Sequence, residues 1–428
     1  MARRLSAGAA EMIAEVVEAS HCLALERLPE LLTEHVPRAG LRDVFLYMSD
    51  LQQETLHLLG GPPSTTTRAG ELDALVEPLA SECTTECGEP VALRIEGTLA
   101  GKAYQQMQIL SKTAEDGSPE WWWVPLLDGT ERLGVMRISA EEATEQTIED
   151  VRCLASTVSM VVVSRRQHSD TYARLVRTRV MSVAAEMQWN LMPPLCFANH
   201  RVVVAAALEP AYDISGDALD YGMAGDTLHL VLCDAMGHDA SAGLTSTLAI
   251  AACRSCRHQG KSLADTVTSV EDMLQEEFGA DERFATALLL SLDTATGVLT
   301  WVNCGHPPPV LLRDGRWVTT LECEASHPLG LSLGLPLVTC QEQLQPGDRV
   351  LLYTDGITEA RNEDGQEFGL PRFVDFIVRS AMDGLPVQES LRRLIRSVLA
   401  YHDRQLQDDA TVMVIEWRGA TGRCPSLP

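Results

Sequence analysis

The stretch that decides the fold reads LVLCDAMGHDASAGL, from Leu230 to Leu244. An apolar strand pattern ends on Asp234, turns through Ala235-Met236-Gly237-His238, and enters a helix pattern in which Leu244 and Leu248 share a face. An acid placed directly after an apolar strand is held by rigid structure at the rim of a core. The same grammar recurs in RVLLYTDG, where Asp355 ends the strand and Gly356 follows. Asp217 follows Ser215-Gly216, and Asp408-Asp409 precedes the strand pattern ATVMVIEW. One such Asp is ordinarily a turn or cap residue. Several in one region form a constellation. Unit like charges ~4 Å apart repel by about 4 kcal/mol per pair at an effective dielectric of ~20. Hard divalent cations remove that cost, and carboxylate, carbonyl and water oxygens suit Mg²⁺ or Mn²⁺.

Working outward, Phe197 to Trp417 reads as strands, then helices, then strands again. RVVVAAALEP, DALDYGM and DTLHLVLCD open it, and two helix patterns follow, the second carrying Leu263, Val267, Val270, Leu274 and Phe278. FATALLLSLDTATGVLTWVNCGH is a hairpin about Thr294 to Gly297, and helices near Pro371–Met382 and Val387–Tyr401 separate RVLLYTDG from ATVMVIEW. This segregation predicts an α+β fold with antiparallel sheets packed under helices.

Upstream, residues to about 142 alternate short elements. VFLYMSD and ETLHLLGG are strand-like, DALVEPLASEC is helix-like, and WWWVPLLDGTERLGVMRIS is a hairpin turning at Asp128-Gly129. Alternation in its first strand sets Trp122 opposite Trp121 and Trp123, which reads as core with one exposed edge. From about Glu145 to Leu191 the helical period runs on through Ile148, Val151, Leu154, Val158 and Val161, then Tyr172, Val176, Val180, Val183 and Met187, until Pro193-Pro194. One continuous helix there would reach on the order of 60–70 Å. An apolar stripe of that length calls for a partner helix, so a parallel homodimer is expected.

Composition narrows the classes. The chain has 428 residues, with 60 Asp and Glu against 34 Lys and Arg, a net charge of −26. Such a chain repels nucleic acid and anionic lipid, and no basic patch compensates. No run approaches the ~18–20 apolar residues of a membrane span. The N-terminal stretch reads as an amphipathic helix with internal acids, not as a secretory signal. A cytoplasmic protein is therefore expected, and its 12 Cys are expected as free thiols. Cys253 and Cys256 have zinc-like spacing but lack a second pair, and buried thiols are the simpler reading.

The ordered blocks AAEMQWNLMPPL, EPAYDISGDALDY, LVLCDAMGHDASAGL, FATALLLSLDTATGVLTWVNCGHPPPVLL, LQPGDRVLLYTDGITEARNEDGQEFG and DDATVMVIEW resemble PPM-type metal-dependent serine/threonine phosphatases, in the bacterial sporulation-stage-II-E-like branch. WVPLLDGTERLGVMRIS with the following helix is similar to a GAF sensor module. The resemblance implies an α/β GAF-like sensor over residues 1–165, a helical linker over 166–196, an αββα-sandwich phosphatase domain over 197–418 and a flexible tail over 419–428. It also implies two Mn²⁺ or Mg²⁺ ions. Asp234 would bridge them beside the Ala235 carbonyl, Asp355 and Asp408 would hold the first, and Asp217 would lie near the second and orient water. Met236 stands where some relatives carry His. His238 is the candidate to protonate the leaving oxygen, and His306 is read as structural.

The implied substrate is a phosphoserine or phosphothreonine on a regulatory protein of the anti-sigma-factor antagonist kind, with an unidentified small-molecule or protein signal acting on the sensor. A metal-dependent hydrolase of small phosphoesters is the alternative. A catalytically impaired binding module would be marked by loss of one of the four aspartates, and none is lost.

Overall fold

The computed structural model describes residues 5–60, 90–113, 119–237, 239–279, 283–401 and 408–422. The chain divides into two compact units, Met1–Val180 and Met181–Ser426.

The first unit begins with α1 (Ala7–Ser20), capped by the Ser6 hydroxyl, which accepts from the Ala9 N–H. Then come α2 (Leu28–His35), β1 (Leu41–Ser49), β2 (Thr55–Leu58), β3 (Ala92–Arg94), α3 (Leu99–Gln106), β4 (Leu110–Thr113), β5 (Pro119–Asp128), β6 (Glu131–Ala140), α4 (Glu145–Arg166) and α5 (Asp170–Val176). The strands form one antiparallel sheet in the order β3-β2-β1-β6-β5-β4. Its two faces carry separate cores. Leu46, Met48, Trp122, Val124, Met136 and Ile138 pack with α1, α2 and α4, whereas Tyr47, Leu56, Trp123 and Val135 pack with Ala100, Ala103 and Tyr104 of α3. Neighbouring Trp122 and Trp123 thus enter opposite cores, as period-two alternation requires. The helix-like stretch DALVEPLASEC, with Cys83 and Cys87, lies outside the described residues.

The structure overturns the expectation of one long helix. α4 ends at Arg166, α5 spans only Asp170–Val176, and the next helix, α6, spans Val183–Leu191. Serines make the breaks. The Ser169 hydroxyl accepts from the Tyr172 N–H and the Ser182 hydroxyl from the Ala185 N–H, each opening a new helix. The stripe on α4 (Val151, Leu154, Val158, Val161) is buried in the first unit's own core, so it needs no partner helix. Val180 and Val183, which the helical spacing places on the same stripe, are 79% and 80% exposed. The argument for a parallel dimer from a long shared stripe goes with the helix. The segment 166–196 divides between the two units.

The second unit continues from α6 with β7 (Cys196–Ala198), β8 (Val202–Glu209), β9 (Asp217–Ala224), β10 (Thr227–Ala235), α7 (Ala240–His258), α8 (Leu263–Phe278), β11 (Ala285–Asp293), β12 (Val298–Cys304), β13 (Val310–Arg313), β14 (Arg316–Thr320), β15 (Cys340–Gln343), β16 (Arg349–Tyr353), α9 (Asp355–Thr358), α10 (Leu370–Met382), α11 (Val387–Tyr401) and β17 (Ala410–Trp417). Two antiparallel sheets result, β15-β12-β11-β10-β9 and β14-β13-β16-β17-β8-β7. Alternation sorts their residues. Val350, Leu352, Met413 and Ile415 belong to the core shared with the first sheet, α7 and α8, while Leu351, Tyr353, Val412 and Val414 pack with α10 and α11. This is an αββα sandwich, as expected.

Cys253 and Cys256 are buried free thiols. Cys323 and Cys340, however, are bonded to each other across a Cα separation of 5.9 Å, contrary to the expectation of free thiols throughout. The residues are 17 apart, and the path of the intervening loop back to edge strand β15 brings them within bridging distance. Among the described residues no helix is long and apolar enough to cross a membrane. Residues 423–428 of the expected tail lie outside the described residues.

Candidate metal centre

The pairing of β9 with β10 sets Asp217 directly opposite Asp234, and β10 with β11 sets Thr286 on the other side of Asp234. On the second sheet, the Thr354 N–H donates to the Thr411 carbonyl at 3.0 Å, and the Thr411 N–H donates to the Thr354 hydroxyl at 2.9 Å. This double stitch joins the end of β16 to the start of β17. It brings Asp355 to the same edge as Asp408 and Asp409. Gly356 is required there, because a Cβ would stand 2.0 Å from the Asp409 carbonyl oxygen.

Two contacts then tie the sheets together at the acids. The Thr354 hydroxyl donates to Asp217 Oδ2 at 2.8 Å, and the Gly216 N–H donates to Asp409 Oδ2. Gly216 also approaches the turn after Asp234 closely. A Cβ on it would lie 2.5 Å from the Gly237 carbonyl oxygen and 2.7 Å from that of Ala235. The Ala235 N–H donates to the Gly216 carbonyl at 3.1 Å. The structure thus brings together Asp217, Asp234, Ala235, Asp355 and Asp408. His238 lies outside the described residues.

Electrostatics follow from this crowding. Burial raises the Asp217 carboxyl well above the usual range, and the Asp234 charge adds to it, while the Thr411 and Thr354 hydroxyls act in the opposite direction. Asp234 is pushed up to about 7, first by burial and then by Asp355, Asp408 and Asp409. Asp355 is raised by burial and by Asp408. Among the described residues no Arg, Lys or His forms an ion pair with Asp217, Asp234, Asp355 or Asp408. Nor does any group of three His, Cys, Asp or Glu side chains among them close into a ligand shell by itself. An open rim of acids fits Mg²⁺, which keeps several waters and takes only one or two carboxylates. The donor set is all oxygen, negative and uncompensated, so the residues present fit a hard dication.

Sequence reasoning did not assign roles to Asp409 or Thr354. Both are buried and both join the sheets at the acids. Counting in twos from Val350 and Leu352 would have found Thr354, a polar residue at inward parity. His306 is a structural residue. It is 3% exposed, with Nδ1 at 2.7 Å from the Thr286 hydroxyl and Nε2 at 3.1 Å from the Tyr353 carbonyl, and burial lowers it to about 4.

The antiparallel αββα sandwich thus carries, where its sheets meet, a rim of aspartates without a cationic partner among the described residues, an oxygen site suited to a hard dication. Known proteins resemble the chain as follows. Residues 224–418 match the family described as Stage II sporulation protein E (SpoIIE). The match covers most of the second unit. Phosphoserine phosphatase RsbU of Bacillus subtilis (strain 168) is 23% identical over 238 residues, covering 55% of this chain and 69% of the relative. Phosphoserine phosphatase RsbP of the same organism is 27% identical over 191 residues, covering 44% of this chain and 47% of the relative. Among solved structures, the SiaA-PP2C domain of Pseudomonas aeruginosa matches at 20% identity and a TM-score of 0.47, covering 55% of this chain and 94% of that one. Asp234, Asp355 and Asp408 fall inside the family match, and Asp217 precedes it.

Proposed function

We propose that the chain is a cytoplasmic, metal-dependent phosphatase that hydrolyses phosphoserine or phosphothreonine on a regulatory protein of the anti-sigma-factor antagonist kind. Its N-terminal unit serves as a GAF-like sensor. The observation that carries this reading is the meeting of Asp217, Asp234, Asp355 and Asp408 at one edge with no cationic partner among the described residues. Asp234, the Ala235 carbonyl, Asp355, Asp408 and Asp217 are the residues that would hold two such ions. When bound, the ions would supply activated water and neutralise phosphoryl oxygens. The chain's own part is to hold Asp217 in one orientation through Thr354, and to keep the turn after Asp234 pressed against Gly216. With ions in the rim, the local potential attracts a phosphate dianion although the whole chain is acidic. The two phosphoserine phosphatases among its relatives support the choice of a phosphoprotein substrate.

The test is hydrolysis by the full chain, with Mn²⁺ or with EDTA, of a phosphoserine-bearing anti-sigma-factor antagonist and of p-nitrophenyl phosphate. Release of phosphate from the protein substrate, abolished by EDTA, is expected. Activity that persists in EDTA would end the metal reading. Turnover of the small ester alone would move the substrate class to phosphometabolites.

A further inference from the structure

The turn Ser215-Gly216-Asp217 lies between the loop after β8 and the first residue of β9, where ladder pairing is only beginning. Buried backbone groups must find partners somewhere. Here the partners can be followed group by group. The Gly216 N–H goes to Asp409 Oδ2, the Gly216 carbonyl accepts from the Ala235 N–H, and the Asp217 N–H donates to the Ser215 hydroxyl at 3.0 Å. The other three groups are satisfied by one side chain. Gln188 of α6 donates from Nε2 to the Ser215 carbonyl at 2.8 Å and to the Asp217 carbonyl at 2.8 Å, and its Oε1 accepts from the Ser215 N–H at 3.1 Å. Gln188 is 1% exposed.

We propose that Gln188 is a positioning residue for the metal rim, and that its amide sets the orientation of Asp217 and the close approach of Gly216 to the Ala235 carbonyl. The inference rests on the metal-dependent reading given above. It concerns a residue on a helix that contributes no acid to the rim. Only a primary amide offers two donors and an acceptor in one plane. Glu in its place keeps the acceptor and loses both donors, and Met keeps the length and loses all three bonds. Other anchors of α6 go elsewhere. Trp189 Nε1 donates to the Ala211 carbonyl at 2.9 Å, and the Ser182 N–H donates to the Tyr212 carbonyl at 2.9 Å. These hold the helix to the preceding loop and leave the turn to Gln188.

The test compares the full-length chain with Gln188→Glu, Gln188→Met and Asn190→Ala. The Asn190 side chain bonds only within α6, to the Glu186 carbonyl at 2.8 Å, so it serves as a control. Three quantities are read: Mn²⁺ binding to metal-free protein by electron paramagnetic resonance, the Mn²⁺ concentration for half-maximal phosphatase activity with kcat at saturation, and the melting temperature. Loss of outer support to a metal ligand typically costs ~10–100-fold in affinity or activity. Both Gln188 variants should therefore need roughly 10–100-fold more Mn²⁺ for binding and activation, with a smaller fall in kcat at saturating metal. Asn190→Ala should match the wild type. Wild-type Mn²⁺ binding in Gln188→Glu and Gln188→Met would overturn the proposal, even if both melt earlier, because packing alone would then explain the contact. Should Gln188→Met fail to fold, Gln188→Glu decides by itself. If the wild type binds Mn²⁺ but releases no phosphate, the phosphatase reading fails while the binding comparison still decides the role of Gln188.

Discussion

At Asp234, burial and three neighbouring carboxylates act in the same direction, and no cation among the described residues opposes them. Removing that charge therefore has opposite effects with and without metal. In EDTA, Asp234→Asn should melt at a higher temperature than the wild type, because it relieves like-charge repulsion. With Mn²⁺, the wild type should gain stability by binding and the variant should gain little. Turnover should fall by more than ~100-fold in Asp234→Asn and in Asp355→Asn, above the ~10–100-fold typical of outer-shell losses. Melting curves with and without Mn²⁺, alongside phosphate release, check both statements. Asp50 in the first unit poses a simpler case. It is 4% exposed and pushed up to about 6 by burial, although the Glu54 and Thr55 N–H groups each donate to its Oδ1 at 2.8 Å. The folded state thus holds its proton more tightly than the unfolded state, whose reference value is 3.8. Stability should fall as pH rises from about 4 to about 6, by about 3 kcal/mol for a shift of ~2 units. Asp50→Asn, which can still accept both N–H bonds, should flatten melting temperature against pH across that window. An unchanged slope would show that Asp50 does not carry it.

At the scale of elements, the sandwich was legible because strand alternation and terminal acids are local signals that packing reinforces. β10 reads Leu228, Leu230 and Leu232 on one face, and Asp234 continues that parity to the rim. The helical region between the units was misread because periodicity is also local. A stripe continues on paper through Val176, Val180, Val183 and Met187, but nothing in the spacing says that Ser169 and Ser182 will turn their hydroxyls onto the backbone and start new helices. Asp409 and Thr354 escaped for a different reason. Their importance comes from contacts between two sheets, across more than a hundred residues of chain in each case. The break can be tested directly. Val180 lies outside any helix and is 79% exposed, so Val180→Pro should leave the melting temperature nearly unchanged. In the interior of a continuous helix the same change would cost ~3 kcal/mol or more.

At the scale of the whole molecule, the position of the cut decides how control by the first unit can be measured. The units part at Val180/Met181, so α6 belongs with the second unit. A fragment beginning near Arg201, where the family-like strands open, would discard Gln188 and with it three of the hydrogen bonds that hold the Ser215-Gly216-Asp217 turn. Low activity in that fragment would mimic loss of an activating sensor while reporting only a damaged rim. A fragment beginning at Met181 keeps the anchors of Ser182, Gln188 and Trp189. The expected order of Mn²⁺ affinity is therefore full-length and Met181 fragment alike, with the Arg201 fragment weaker by roughly the ~10–100-fold assigned to outer-shell support. Phosphatase rates at saturating Mn²⁺ then isolate any effect of the first unit. A Met181 fragment that differs from the full chain in rate, but not in metal affinity, would assign a regulatory role to the first unit. Equal rates would remove that role and leave the first unit with a task unrelated to turnover.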